Sequence, residues 1–186
     1  MLQLSGALLN KSVLSLRTGG VVGHIESVII NPNNLKIEGF WCFDRFTRQK
    51  LILLSQDIRE VSPRGYIVND HEAMTDPHEL VRLKELLELD FQLNGKSVQT
   101  VSKKRLGKVS DYATDMTSMY IQKVYASASI VRNLTGGQLS IDRSQIVEIT
   151  NRRIVVKDIE QKVRRPVLER AKAAVAIPAA ANSKTQ

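Results

Sequence analysis

Residues 9–13 read Leu9-Asn10-Lys11-Ser12-Val13, and residues 93–98 repeat this pattern as Leu93-Asn94-Gly95-Lys96-Ser97-Val98. Three further matches follow in the same order: Val22-Gly23-His24-Ile25 with Leu106-Gly107-Lys108-Val109, Ile58-Arg59-Glu60-Val61 with Ile146-Val147-Glu148-Ile149, and Ile67-Val68-Asn69-Asp70 with Val155-Val156-Lys157-Asp158. The matched residues are separated by 84 to 88 positions. Self-similarity at a fixed spacing is typical of a duplicated structural unit. We therefore predict two homologous units.

The first unit has the pattern of a β structure. Arg17-Thr18-Gly19-Gly20 and Asn31-Pro32-Asn33-Asn34 are turn sequences, because glycine and asparagine tolerate left-handed backbone and proline pre-sets φ. Between Ile37 and Phe43 the residues alternate with period two, which indicates a strand. Shorter apolar runs follow, and we predict strands at Leu51–Leu54, Ile58–Val61 and Tyr66–Val68.

The second unit has the same layout. Lys103-Lys104-Arg105 takes the place of the Gly-Gly turn, a long middle strand is predicted from Ile121 to Ile130, and residues 132–137 form the turn after it. Each unit is expected to bury its apolar side chains in a core of its own.

A helix is predicted between the units. Asp76 suits the N-cap, Pro77 the first helical position and Glu79 the reciprocal position of a capping box. An apolar stripe at helical spacing follows at Leu80, Leu83, Leu86 and Leu87. Such a stripe must be covered, so we expect this helix to dock on one or both units.

A second, alanine-rich helix is predicted from about Pro166 to Ile177, followed by a disordered tail. The predicted domains are 1–75 and 91–160 for the two units, 76–90 for the linker helix, and 161–186 for the basic, Ala-rich helix and tail.

These repeated features resemble the PRC-barrel domain, a small six-stranded barrel found in the H subunit of photosynthetic reaction centres and in a ribosome-maturation factor. Gly23-His24-Ile25 leading to Ile29-Ile30-Asn31-Pro32, and Gly107-Lys108-Val109 leading towards Asp115, are similar to the family's opening pattern. The sequence departs from this pattern most in residues 116–130, where Met116-Thr117-Ser118-Met119 replaces the usual polar turn. The resemblance implies a mainly β chain of two tandem six-stranded barrels, with adaptor or assembly functions and no common catalytic motif.

Composition indicates a soluble, cytoplasmic protein. The chain has 186 residues and 42% hydrophobic side chains, which is ordinary for globular domains. Its N-terminus lacks the basic and apolar regions of a signal peptide, and no apolar run reaches the length of a membrane helix. The single cysteine, Cys42, lies in an apolar setting, so we predict a buried packing residue in a reducing compartment.

No catalytic or metal-binding motif is recognisable, so we expect no enzyme activity, no cofactor and no metal. Glycine-rich phosphate loops, nucleophile elbows and paired cysteines are missing from the sequence. His71 and His78 match no strong zinc spacing, and we interpret their segment as a solvated linker. Asp70 and Asp158 occupy matched strand ends, where acidic residues commonly favour turns.

The formal net charge of +8 is unevenly distributed. Residues 1–78 carry eight basic and eight acidic side chains, residues 79–161 carry thirteen and ten, and residues 162–186 carry six and one. We predict a partner-binding surface from the basic clusters of the second half: Lys103, Lys104, Arg105, Lys108, Arg152, Arg153, Lys162, Arg164 and Arg165. Three solvated turns are the alternative interpretation. Clustered lysine and arginine suit phosphate or acidic protein.

The leading hypothesis is a non-catalytic adaptor or scaffold that binds a protein partner, within an acidic or RNA-containing assembly such as a ribonucleoprotein. Few tyrosines lie near the basic clusters, so stacking on single-stranded nucleic acid is not favoured. The alternative is a membrane-peripheral or filament-organising scaffold that docks through its basic C-terminal tail. The sequence leaves the oligomeric state open.

Overall fold

The computed structural model describes residues 1–127 and 138–158. Fourteen strands form one mixed sheet. In the first half they are β1 (Leu2–Leu4), β2 (Ser12–Ser15), β3 (Val21–Asn31), β4 (Lys36–Asp44), β5 (Lys50–Leu54), β6 (Ile58–Ser62), β7 (Gly65–Val68) and β8 (Met74–Thr75). In the second half they are β9 (Ser97–Thr100), β10 (Arg105–Asp115), β11 (Tyr120–Ser127), β12 (Gln138–Asp142), β13 (Ile146–Ile149) and β14 (Arg153–Val156). The prediction of a mainly β chain is confirmed.

Helical structure within the described residues is limited to short pieces. One α-helix, α1, spans Lys84–Leu89. Single 3₁₀ turns occur at Ser5–Leu8, Ser55–Asp57, His71–Ala73, Pro77–Glu79, Val81–Leu83 and Arg143–Gln145. In this part of the chain no helix combines the length and apolar character that crossing a bilayer requires.

The two units have the same strand order. The first is ordered β6-β7-β2-β3-β4-β5 and the second β13-β14-β9-β10-β11-β12. Each contains one parallel pair, β2 with β7 and β9 with β14, while its other pairs are antiparallel. β5 additionally pairs with β8. The four sequence matches thus lie on corresponding strands.

The registers of the two units also correspond. Val13 pairs with Gly23 and Val98 pairs with Gly107, and the ladder slips by one residue directly beyond each pair. The β6–β7 and β13–β14 ladders each have a bulge, at Arg59 and at the matched Val147. β-Bulges fix a register, so their recurrence aligns the two units residue by residue.

Burial explains why both sequences form this arrangement. Alternate residues of a strand face one side of a sheet, and most inward positions are apolar in both units, with Ser15 and the matched Thr100 as buried polar exceptions. Each matched pair is at most 3% exposed: Val13 with Val98, Ile25 with Val109, Ile37 with Ile121, Phe40 with Val124, and Val68 with Val156. Fully burying one such side chain stabilises the fold by about 1.5–3 kcal/mol.

The units meet through their long hairpins, β3–β4 and β10–β11. The Ile37 N–H donates to the Met119 carbonyl at 2.8 Å, and the Ile121 N–H donates to the Leu35 carbonyl at 2.9 Å. Leu35 and Met119 occupy the same place in the two hairpin turns, with φ of 56° and 58°. Because each bond joins matched residues in exchanged roles, the junction is locally two-fold symmetric.

The interior is continuous across this junction. Leu35 and Met119 are buried, and the buried apolar residues of both units belong to one contiguous cluster. The expectation of a separate core in each unit is therefore wrong. The physical reason is that the two hairpin turns bring apolar side chains, rather than polar ones, to the line where the units meet.

Each unit is also contacted by the segment that precedes the other. β1 pairs with β10 of the second unit, Leu2 opposite Asp115, and the N-terminal amine lies 3.1 Å from the Asp115 carboxylate. Before the second unit, Leu86, Leu87 and Phe91 lie against β3 of the first unit across a space of only about 10 Å³. The linker therefore docks on the sheet, as its leucine stripe predicts.

The predicted helix over 76–90 is only partly present. Asp76 accepts a hydrogen bond from the His78 N–H at 2.8 Å and Pro77 opens the turn, as predicted. The prediction of one continuous helix is wrong. Leu80 has non-helical angles (φ −90°, ψ 61°) and separates two 3₁₀ turns, the second of which is followed by α1. Short helices depend on tertiary packing. The half-buried leucines 80, 83, 86 and 87 contribute that packing here.

The remaining predictions concern residues outside the described part of the chain. They are the end of the middle strand beyond Ser127, the turn over 132–137, and the C-terminal helix and tail after residue 160.

Candidate basic binding face

The structure places six of the nine predicted site residues around β9, β10 and β14. Lys103 and Lys104 lie in the β9–β10 turn, and Arg105 and Lys108 are in β10. Arg152 lies in the β13–β14 turn and Arg153 begins β14. We call these six residues the basic face. Lys162, Arg164 and Arg165 lie outside the described residues.

Strand pairing puts the charges of this face on one side of the sheet. Ser97 of β9 pairs with Lys108 on one side and with Arg153 on the other. Two positions along, Gln99 pairs with Arg105. Residues directly opposite each other project to the same side of a sheet, and the intervening Val98 is buried. Arg105, Lys108 and Arg153 therefore project together into solvent.

The two turns extend the face at both ends of β9. Lys103 and Lys104 follow the C-terminal end of this strand, and Arg152 lies near its N-terminal end because β14 runs parallel to β9. The Lys96 ammonium donates to the Asn151 carbonyl at 2.6 Å and lies 4.3 Å from the centre of the Phe91 ring. This contact holds the turn that carries Arg152, and burial lowers the pKa of Lys96.

The charges of the basic face are not neutralised by ion pairs within residues 1–127 and 138–158. The neighbouring Asp158 carboxylate accepts from the Ser102 hydroxyl at 2.6 Å. That hydrogen bond is the main reason why the pKa of Asp158 is lowered, and the Lys104 charge adds to it. Asp158 thus closes the β9–β10 turn. The matched Asp70 has the same role in the first unit, because it accepts a hydrogen bond from the Ser15 hydroxyl at 3.5 Å and pairs with Arg17 of the β2–β3 turn at 2.5 Å.

The first unit lacks this face. The turn hydrogen bonds match Gly19 with Lys103 and Gly20 with Lys104, since Gly19 and Lys103 donate to the carbonyls of the matched Ser15 and Thr100. The pairings given above match four more positions: Val21 with Arg105, His24 with Lys108, Arg64 with Arg152, and Gly65 with Arg153. Five of the six charges therefore occur only in the second unit. Aligning the halves residue by residue is the sequence signal that reveals this asymmetry.

A contact between a buried aspartate and a partly exposed histidine in the first unit was not predicted. Asp44 ends β4 with no exposed surface, and its Oδ1 lies 2.9 Å from His71 Nε2. Burial raises the pKa of Asp44, but hydrogen bonds from the Thr47 hydroxyl, the N–H groups of Phe46 and Thr47, and His71 outweigh it and lower the pKa to about 2. The interpretation of His71 as part of a solvated linker is therefore wrong. Its partner lies 27 positions away, a pairing that no local pattern indicates.

Two other predicted features have clear positions. Cys42 is fully buried, and burial raises the pKa of its thiol to about 12, so its assignment as a packing residue is confirmed. Among the tyrosines of the second unit, Tyr112 is buried and Tyr120 lies under the Arg143 guanidinium at 4.3 Å. Within the described residues, no three His, Cys, Asp or Glu side chains come close enough to share a metal ion.

The described residues thus define a duplicated β protein with basic charge concentrated on one unit. No protein family model matches this chain, and no curated protein sequence matches it.

Proposed function

We propose that this protein is a non-catalytic adaptor whose second unit binds an acidic protein partner through the basic face. The observation that carries the proposal is the charge difference between matched positions of the two units. At four matched positions the first unit has Gly19, Gly20, Val21 and His24, and the second unit has four cations. Both units nevertheless have the same strand order, so the fold does not require those charges. Charge that folding does not need is available for steering and docking a partner of opposite sign.

We also infer that each unit is a small six-stranded barrel of the PRC type that stays open between its first and last strands, since among the described strands β6 does not pair with β5 and β13 does not pair with β12. The identical order of six strands and the matched buried positions support this inference. The resemblance in turn favours adaptor and assembly functions.

A protein surface suits the basic face better than single-stranded RNA does. Base recognition in single strands relies on stacking against exposed rings. Here Tyr112 is buried, the Tyr120 ring is covered by Arg143, and the half-buried Tyr125 lies on β11, which pairs with neither β9 nor β14. Ser97 and Gln99 lie between the cations and offer neutral hydrogen-bonding groups alongside them. A ribonucleoprotein assembly presents acidic protein and phosphate together, so the experiment must separate the two.

The test replaces four cations by the residues of the first unit: Lys103→Gly, Lys104→Gly, Arg105→Val and Lys108→His. Fluorescence anisotropy measures the binding of labelled polyglutamate and of labelled oligouridylate. Four exposed charge contacts of about 0.5 kcal/mol each give about 2 kcal/mol, so we expect the Kd for polyglutamate to rise about thirty-fold. Binding should also weaken with salt.

The matched control removes four cations from the first unit by replacing Arg45, Arg48, Lys50 and Arg64 with Gln. This control should retain most of the binding to polyglutamate, and circular dichroism should show both variants folded. Equal losses in the two variants would mean that net charge alone is responsible and would contradict the proposal. Binding of oligouridylate without polyglutamate would assign the face to nucleic acid instead. Flotation with phosphatidylserine vesicles examines the lipid alternative in the same way.

A further inference from the structure

We infer that β13 is a strand-addition site for an extended segment with an apolar centre and acidic ends. The inference deepens the proposed function and rests on it only in taking the partner to be acidic. β13 lies at the end of the strand order and, among the described strands, pairs with β14 alone. The far side of an end strand carries backbone N–H and C=O groups that can pair with another chain.

The corresponding edge of the first unit is protected, and that of the second is not. At the bulge of β6 the exposed Arg59 donates through its Nε to the Asn69 side chain at 2.8 Å. The matched residue of β13 is Val147, whose side chain is 57% exposed. Charged residues on an edge strand discourage strand addition, whereas an exposed β-branched residue favours it. The bulge itself occurs in both units and does not distinguish them.

A groove adjoins β13. It has a volume of about 270 Å³ and lies between β13 and the Pro32–Leu35 turn of the first unit. Arg143, stacked on Tyr120, borders it, and the junction between the units holds the turn in place. The groove gives a side chain of an added strand an apolar contact with Ile146, Val147 and Ile149.

Charge determines the occupant. Arg143 precedes β13 and Arg152 follows it, so a strand of four residues, about 13 Å long, has a cation at each end. Glu148 lies on β13 itself, which disfavours acidic residues at the centre of the added segment. Residues 162–186 of the chain carry six basic and one acidic side chain, so like charge disfavours this segment as the occupant. An acidic partner segment fits both ends.

The test uses the full chain labelled with ¹⁵N and the blocked heptapeptide Asp-Asp-Val-Thr-Val-Asp-Asp as probe. We expect amide shifts in Ile146–Ile149 and in Pro32–Leu35, where Asn33, Asn34 and Leu35 report for the turn. The decisive variant is Val147→Arg, which gives β13 the residue of β6. Strand addition predicts binding about ten-fold weaker. General attraction to positive charge predicts tighter binding, because the variant gains a cation.

A peptide with proline in place of its central threonine should also bind about ten-fold more weakly, since proline cannot donate to a ladder. Equal or tighter binding to V147R, shifts confined to the basic face, or no binding to the wild-type chain would overturn the inference. So would a concentration-dependent dimer, measured by light scattering, that V147R abolishes, since a second copy would then occupy the edge. The four-residue variant of the basic face retains Val147, so it separates failure of the proposed function from failure of this inference.

Discussion

The two units differ mainly where their residues meet solvent. Their interiors agree at matched positions such as Val13 with Val98 and Ile37 with Ile121, which are buried in both. Their turns and outer faces differ, as Gly19 and Val21 in the first unit and Lys103 and Arg105 in the second illustrate. Buried positions are constrained by close packing, whereas exposed positions tolerate substitution. The charge difference between the units is therefore the basis of the proposed binding function.

Gly65 and Arg153 occupy matched positions, and exchanging their residue types should lower the stability strongly in one unit only. Gly65 has φ of 154°, and a Cβ there would collide with the Ser12 carbonyl oxygen. Replacing Gly65 with Arg, the residue of the second unit, should therefore cost about 3 kcal/mol or more. The reverse change, Arg153→Gly, should cost only about 0.5–1 kcal/mol. Urea denaturation measures the stability of both variants, and equal costs would show that the backbone at Gly65 is not confined to this conformation.

The buried Asp44 should distinguish the first unit by its pH dependence. Its pKa is lowered from 3.8 to about 2, so its contribution is fully present above the unfolded pKa and is lost as pH falls from about 4 towards 2. Asp44→Asn should cost about 1–3 kcal/mol at neutral pH, because a charged acceptor of several hydrogen bonds is removed. Thermal unfolding at a series of pH values should show a smaller acid-induced loss in the variant. An unchanged profile would remove Asp44 from this role.

The smallest expected effect concerns the turns that carry the basic face. Gly19 and Lys103 occupy the same turn position with φ of 68° and 64°, a conformation that costs a side chain energy. Lys103→Gly should therefore stabilise the protein by about 0.5 kcal/mol, and Gly19→Lys should destabilise it by about 1 kcal/mol. Chemical denaturation measures the free energy of unfolding of both variants. Stabilisation by Gly19→Lys would contradict the matching of these turns.

Local patterns in the sequence predict the strands and the duplication well. Turn residues such as Gly19-Gly20 and the alternation from Ile37 to Phe43 depend on conformational preferences of a few neighbouring residues, and both features are present. The four repeated segments fall on corresponding strands because duplication preserves the buried positions.

Features that join distant residues were not predictable in this way. The hydrogen bonds that join Leu35 to Ile121 and Met119 to Ile37 depend on how the two folded hairpins pack against each other. The contact between Asp44 and His71 likewise depends on the return of the chain after β7. The break at Leu80, whose backbone angles are not helical, is also not indicated by local helix propensity. The individual cations can be named from the sequence, but their position on a common face required the register of β9 with β10 and β14.

We propose that the two units of one fold differ in function because only the second carries the basic face. An amide chemical-shift titration of the full chain with polyglutamate distinguishes the two units residue by residue. We expect saturable shifts in residues 97–108 and 152–157, with no comparable change in the matched residues 12–24 and 64–69. Similar shifts in both units, or shifts confined to the first, would contradict the proposal.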